Sequence, residues 1–216
     1  MTRWLQKRPA VFWIGIVFVA ALIAYTIGSM NQRLQVDPVS AKPLLDLIAR
    51  VESKGNYNAY FGNAGNTSIK FTEMSIADVL SWQEDFIAAG HPSSAVGRYQ
   101  IISTTLKGLV QQLAIDVNQP FDEAMQDRMA IALLERRGAT EYVNNQIDGR
   151  QFAAELAKEW AALPKTMGDK PEQSYYAGDG LNKALISSKE VLAAIGAIRS
   201  EPVELLYPLW YSGVNK

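Results

Sequence analysis

"IARVESKGNYNAYFG", residues 48–62, starts as an amphipathic helix and breaks into a loop of Gly, Asn and Tyr. Leu45, Ile48 and Glu52 are spaced three and four apart, so they share one face of that helix. The last helical turn therefore puts a carboxylate on the stripe that a folded domain buries, beside the aromatic residues Tyr57, Tyr60 and Phe61. A carboxyl held against apolar walls keeps its proton to higher pH, because desolvation penalises the ion. Such a group can serve as a general acid. Periodicity alone leaves a second reading open, in which Glu52 sits at the rim of the core and reaches water.

Working outward, the chain has 216 residues, which suits a terminal segment plus one domain of ordinary size. Its net charge of -1 gives no bulk electrostatic reason to bind nucleic acid. It has no cysteine, which excludes disulfides, thiolate metal sites and cysteine nucleophiles. His91, next to Pro92, is the single histidine, so neither a His-based metal site nor a Ser-His-Asp triad is easily built. No cofactor or metal is expected.

Residues 10–30, "AVFWIGIVFVAALIAYTIGSM", carry no charge. At ~1.5 Å per residue a helix of this length spans roughly 30 Å, the thickness of a bilayer core. The Val, Ile, Leu and Phe residues alone supply roughly -3 to -6 kcal/mol of insertion energy. No face is polar, which argues against a buried core helix. A cleaved signal peptide competes, but the apolar run is long and no small-x-small site closes it. The expectation is one N-terminal transmembrane helix, an uncleaved signal anchor. Arg3, Lys7 and Arg8 precede the span, which keeps residues 1–9 in the cytoplasm of a bacterial cell and places the rest in the periplasm.

Residues 31–38 read as a polar tether, residues 39–200 as the folded domain, and residues 201–216 as an apolar tail. Within the domain a helix is expected to about Ser53, with Ser40 near its N-cap and Pro43 in its first turn. A loop or small irregular sheet over 55–70 follows. Further helices are expected over 75–90, 103–115, 119–138, 148–163 and 188–200, with an extended piece before 102 and a long loop over 168–180. The fold class is α+β, predominantly α, with a small β region.

Two further segments carry candidate chemistry. "GRYQI", residues 97–101, offers a glycine where backbone can approach a ligand, then an aromatic ring and an amide, Tyr99 and Gln100. "SYYAGDG", residues 174–180, puts Tyr175 and Tyr176 in a glycine-flanked loop. Taken singly, the first also reads as an ordinary short strand after a turn, and the second is equally open. Their order is more telling. Glu52-Ser53, then Gly97-Arg98-Tyr99-Gln100-Ile101, then Tyr175-Tyr176-Ala177-Gly178 resembles the lysozyme-like lytic transglycosylases, which carry Glu-Ser, Gly-Leu-Met-Gln-Ile and Tyr-Asn-Ala-Gly. The wording is closer still to bacteriophage lambda-type endolysins, through "GRYQ" and Trp160-Ala161-Ala162-Leu163-Pro164. The resemblance spans about residues 44–192. It departs from the soluble transglycosylase wording at Tyr99 and Tyr176, which stand in place of Met and Asn.

This resemblance implies a lysozyme-like domain that cleaves the β-1,4 bond between N-acetylmuramic acid and N-acetylglucosamine in peptidoglycan. It puts Glu52 in the catalytic position, with Tyr99, Gln100, Tyr175, Ser53 and Tyr176 along the glycan groove. A transglycosylase would return a 1,6-anhydro end. A hydrolytic muramidase would need a second carboxylate, for which Glu73 and Asp78 are candidates beside their plainer readings as a solvated residue and a helix-capping acid. Glu159 also approaches an apolar face, where a buried structural role is the plainer account. Trp82 and Trp160 fall in helical patterns and read as core. A third possibility is a non-catalytic, membrane-tethered wall-binding or assembly module. The lambda-like wording implies a phage or prophage setting, in lysis or in wall entry from the virion. The tail, with Leu205, Leu206, Tyr207, Leu209, Trp210 and Tyr211, could pack on its own domain, lie at the membrane, or hold a phage or envelope partner.

Overall fold

The computed structural model describes residues 34–198 and 200–202, with side chains over 36–198. The expected membrane span at 10–30 and nearly all of the apolar tail lie outside the described residues. Among the described residues, no helix is long and apolar enough to cross a membrane. The chain divides into a unit over Gln35–Glu201 and another over Met1–Leu34 with Pro202–Lys216. The first unit carries every candidate site residue.

Helix α1 runs over Pro38–Ser53. Asp37 caps it, accepting from the Val39 and Ser40 amides, and Pro38 occupies the first helical position, where its missing N–H costs nothing. The cap is therefore Asp37 and not Ser40, and Pro43 sits inside the helix. Leu44, Leu45, Ile48 and Ala49 are buried. The helix stops because Lys54 and Gly55 both take left-handed backbone (φ 57° and 81°), and the Gly55 amide folds back onto the Ala49 carbonyl. That stop leaves Glu52 in the final turn.

The loop over 55–70 makes single bridges, Tyr60 with Asn63 and with Val96, and no ladder. Asparagines hold it instead. Buried Asn66 donates to the Asn58 and Ile69 carbonyls and accepts from the Ser68 and Ile69 amides, while Asn56 donates to the Ala64 and Asn66 carbonyls. A short 3-10 turn, Phe71–Glu73, leads to α2, Ile76–Ala88, whose Ser75 cap accepts from the Asp78 amide. Then come α3 (Ser103–Gln112), α4 (Glu123–Arg136), α5 (Ala139–Val143), α6 (Gly149–Leu156) and α7 (Ser188–Ile195). Strand β1, Leu34–Val36, pairs with β2, Ser200–Pro202, so part of the expected tether and the first residues of the expected tail are strand.

Helix α1 packs on α7 and α4, and α6 on α7. Their buried faces, with Leu44, Ile48, Met129, Leu133, Phe152, Leu156 and Val191, form the core below Glu52. The chain is predominantly helical, as expected, with less strand than the sequence suggests. Most helix ends come earlier or later than periodicity predicts, and α5 is an addition. The largest difference is α6, which stops at Leu156 where the pattern runs to 163.

Candidate active site

Glu52 keeps part of its surface in contact with solvent, yet protein surrounds its carboxyl densely enough to strip most hydration. Burial pushes its pKa up to about 7, opposed by one hydrogen bond from the Ala162 amide at 3.3 Å. The acid is therefore poised to hold a proton near neutral pH and to release it.

Ser53 is fully buried. Its hydroxyl donates to the Arg98 carbonyl at 2.7 Å, with the Ala49 carbonyl 3.1 Å away as a second acceptor. It thus binds the 97–101 turn to the end of α1 and offers nothing to a ligand. That turn is fixed throughout. The Arg98 amide donates to Gln126 Oε1 at 2.9 Å, and the guanidinium meets Asp46 at 2.5 Å and the Tyr57 hydroxyl at 2.6 Å. The guanidinium also lies over the Tyr57 and Tyr99 rings, 4.9 and 5.5 Å from their centroids.

Tyr99 is 1% exposed, and its hydroxyl donates to Asp127 at 2.6 Å. Burial and that carboxylate hold its phenol protonated well beyond the usual range. It has no free ring face for a sugar, contrary to the expectation of a groove aromatic. Gly97 answers to packing and not to a ligand: at φ 79°, an added Cβ would lie 2.4 Å from Gln126 Oε1. Gln100 is half-buried in left-handed backbone (φ 50°), with its amide nitrogen on the Gly97 carbonyl at 3.0 Å.

The 174–180 loop presents its rings outward. Tyr175 is 49% and Tyr176 40% exposed, the rings meeting edge to face at 5.2 Å. The Tyr176 hydroxyl donates to the Lys158 carbonyl at 2.7 Å. Gln100 and Tyr176 line one open recess, together with Arg137, Lys158, Glu159 and Trp160. Glu52 is not among its lining residues. Trp160 connects the two places, since it lines the recess two residues before the amide that meets Glu52.

Comparison with known proteins gives a match to the endolysin family over residues 42–184, a stretch that includes Glu52 and both loops. The chain belongs to the endolysin family. Membership makes it a peptidoglycan-degrading enzyme of phage type. A solved structure, bacteriophage lambda lysozyme complexed with a chitohexasaccharide, aligns at 18% identity and a TM-score of 0.43, covering 75% of this chain and 94% of that one. No curated protein matches the sequence.

The remaining acidic candidates of this endolysin are otherwise engaged or exposed. Asp78 accepts from the Ser75 hydroxyl at 2.6 Å at the start of α2, and Glu73 is exposed in the 3-10 turn. Glu159 is nearly buried and paired with Arg137 at 2.8 Å, the structural role its position suggested. Trp82 packs in an aromatic cluster, stacked on Phe86 at 4.6 Å and edge-on to Phe71 at 4.8 Å. Exposed His91 stacks on Phe86 at 3.7 Å. Trp160 is buried as expected, although beyond the end of α6.

Sequence reasoning missed the network of Asp46, Tyr57, Arg98 and Asp127, and it missed Ala162. Asp46 lies six residues, just under two turns, before Glu52 on α1, and Arg98 lies inside the "GRYQ" wording, so both are visible as residues. Their pairing spans 52 positions and has no local signal.

Proposed function

We propose that this chain is a lytic transglycosylase that cleaves the MurNAc–GlcNAc β-1,4 bond with Glu52 as both acid and base. The observation that carries the reading is a single carboxyl, half-buried at the end of α1, with its pKa raised to about 7. Protonated Glu52 gives its proton to the glycosidic oxygen as the C1–O4 bond breaks, through an oxocarbenium-like transition state. The carboxylate left behind takes the proton of the muramic C6 hydroxyl as that oxygen bonds to C1. Glu52 ends protonated, and no water is consumed. One carboxyl thus suffices, which agrees with Asp78 being engaged in a helix cap and Glu73 standing exposed. Tyr175, Tyr176 and Gln100 are the groove contacts in this reading, while Ser53 and Tyr99 position the turn that carries Gln100.

Glu52→Gln preserves shape and removes proton transfer. In the full chain it should lower wall cleavage by roughly 10²–10⁴-fold. Mass spectrometry of the products decides the reaction type: anhydro ends support the transglycosylase, and reducing ends mean a hydrolytic muramidase. Wall binding with no soluble product from the wild type would leave only a wall-binding module. We also propose that residues 10–30 anchor the protein in the inner membrane with its catalytic domain in the periplasm, a reading supported by the uncharged span and the basic residues before it. Protease digestion of spheroplasts tests this, since a periplasmic domain is lost and a cytoplasmic one survives.

A further inference from the structure

Among the described residues, one hydrogen bond reaches the Glu52 carboxyl, that from the Ala162 amide. This amide belongs to a segment held from several sides. The buried Trp160 indole donates to the Tyr99 carbonyl at 3.2 Å. The Leu163 amide closes a turn onto the Trp160 carbonyl at 3.0 Å, and the Ala162 carbonyl accepts from the Leu185 amide at 2.8 Å. Pro164 bridges to Ser174, where the tyrosine loop begins. Ala162 is therefore tied through its own carbonyl, and its N–H, which belongs to the preceding peptide group, aims at Glu52.

We propose that the turn over residues 160–164 positions the catalytic carboxyl: the Trp160 indole, clamped on the Tyr99 carbonyl, holds the Ala162 N–H where it receives the carboxylate left after proton transfer. This rests on Glu52 being the acid/base. A backbone N–H stabilises an ionised carboxyl more than a neutral one. At 3.3 Å the bond is slightly longer than the usual N–H···O range. Most charged groups on the packed segments are paired: Arg98 with Asp46 and Asp127 nearby, Arg50 of α1 with Glu190 of α7, Arg137 with Glu159, and Lys158 with Glu155, while Lys54 follows Glu52 at the end of α1. Among the described residues, the Ala162 amide is thus the hydrogen-bond donor that can answer a charge arising at Glu52. Trp160 touches no reacting atom and is a positioning residue.

Two variants of the full chain test this. Trp160→Phe keeps a ring and deletes the indole N–H. Replacing Ala162 by lactic acid, its hydroxy-acid analogue, changes the amide to an ester and deletes the N–H while leaving every side chain intact. The readouts are the titration midpoint of Glu52 by carboxyl NMR, the pH–rate profile, and kcat against KM. In the ester variant the midpoint should rise by about one unit above its wild-type value, kcat should fall about tenfold on the acid side with KM within about twofold, and the alkaline limb should move up with the midpoint. Trp160→Phe should move all three in the same direction by less. An unshifted midpoint in the ester variant overturns the inference, even where Glu52→Gln is inactive. A Glu52→Gln chain that still cleaves wall at the wild-type rate overturns the underlying reading instead, with the midpoint shift intact.

Discussion

The turn at 97–101 and the loop at 174–180 share a wording, a glycine two residues from a tyrosine, and are held by opposite means. In the turn Arg98 and Tyr99 spend their polar atoms on the protein, on Asp46, Tyr57 and Asp127, while Gln100 ties its amide nitrogen to the Gly97 carbonyl and still lines the open recess. In the loop, Tyr175 and Tyr176 are each about half exposed, and one hydroxyl makes the tie to Lys158. The difference separates residues that build the site from residues a glycan strand can touch. Motif wording does not separate them, because a tyrosine looks the same in either place.

Substitutions in the turn should therefore cost stability, and those in the loop should cost binding. Arg98→Met should have the largest effect, about 2–4 kcal/mol in urea denaturation, because it leaves Asp127 and two phenols without their cation. The partial exposure of Asp46 holds the value below that of a fully buried pair.

Glu52→Gln comes next and has the opposite sign. Its folded pKa, about 7, lies above the ordinary 4.5, so Glu52 favours the fold fully below pH 4.5 and loses that contribution as pH rises toward 7. Glu52→Gln should match the wild type below this window and exceed it above by up to about 3 kcal/mol, as thermal unfolding at several pH values would record. An equal stability at all pH values would mean that the carboxyl is not desolvated.

Gly97→Ala should cost about 2 kcal/mol, since it combines a strained φ with a Cβ too close to Gln126. Gln126 cannot give way, because its amide already holds the Arg98 amide and the Tyr57 and Phe121 carbonyls. The smallest stability effects belong to the loop. Tyr176→Phe should cost about 1 kcal/mol through the Lys158 bond, and Tyr175→Ala less than about 0.5. Tyr175→Ala should instead weaken glycan binding by the Glu52→Gln protein by roughly fivefold, measured by calorimetry. A Tyr175→Ala protein that unfolds early but binds normally would reverse the comparison.

Local signals in the sequence carried well where local physics decides. The acid on the Leu45–Ile48 stripe, the Ser75 cap and the stop at Gly90 are all found as read. The start of α1 differs from the expectation although its signal is local: Asp37-Pro38 is a capping pair, whereas the polar stretch that ends in Pro38 reads as a tether. The end of α6 was not local at all. Residues 157–163 keep helical periodicity, yet the chain leaves the helix so that Trp160 meets Tyr99 and Ala162 meets Glu52.

By itself the sequence determined that a carboxyl ends an apolar helix face, that two tyrosine-glycine loops follow in order, and that helices dominate. Those are consequences of spacing and composition, which act over a few residues. Only the tertiary structure decided that Glu52 is desolvated and answered by one amide 110 positions away. It alone also decided that Tyr99 is core while Tyr175 is surface. Burial and hydrogen-bond partnership depend on which distant segments pack together, and that packing sets how tightly Glu52 holds its proton.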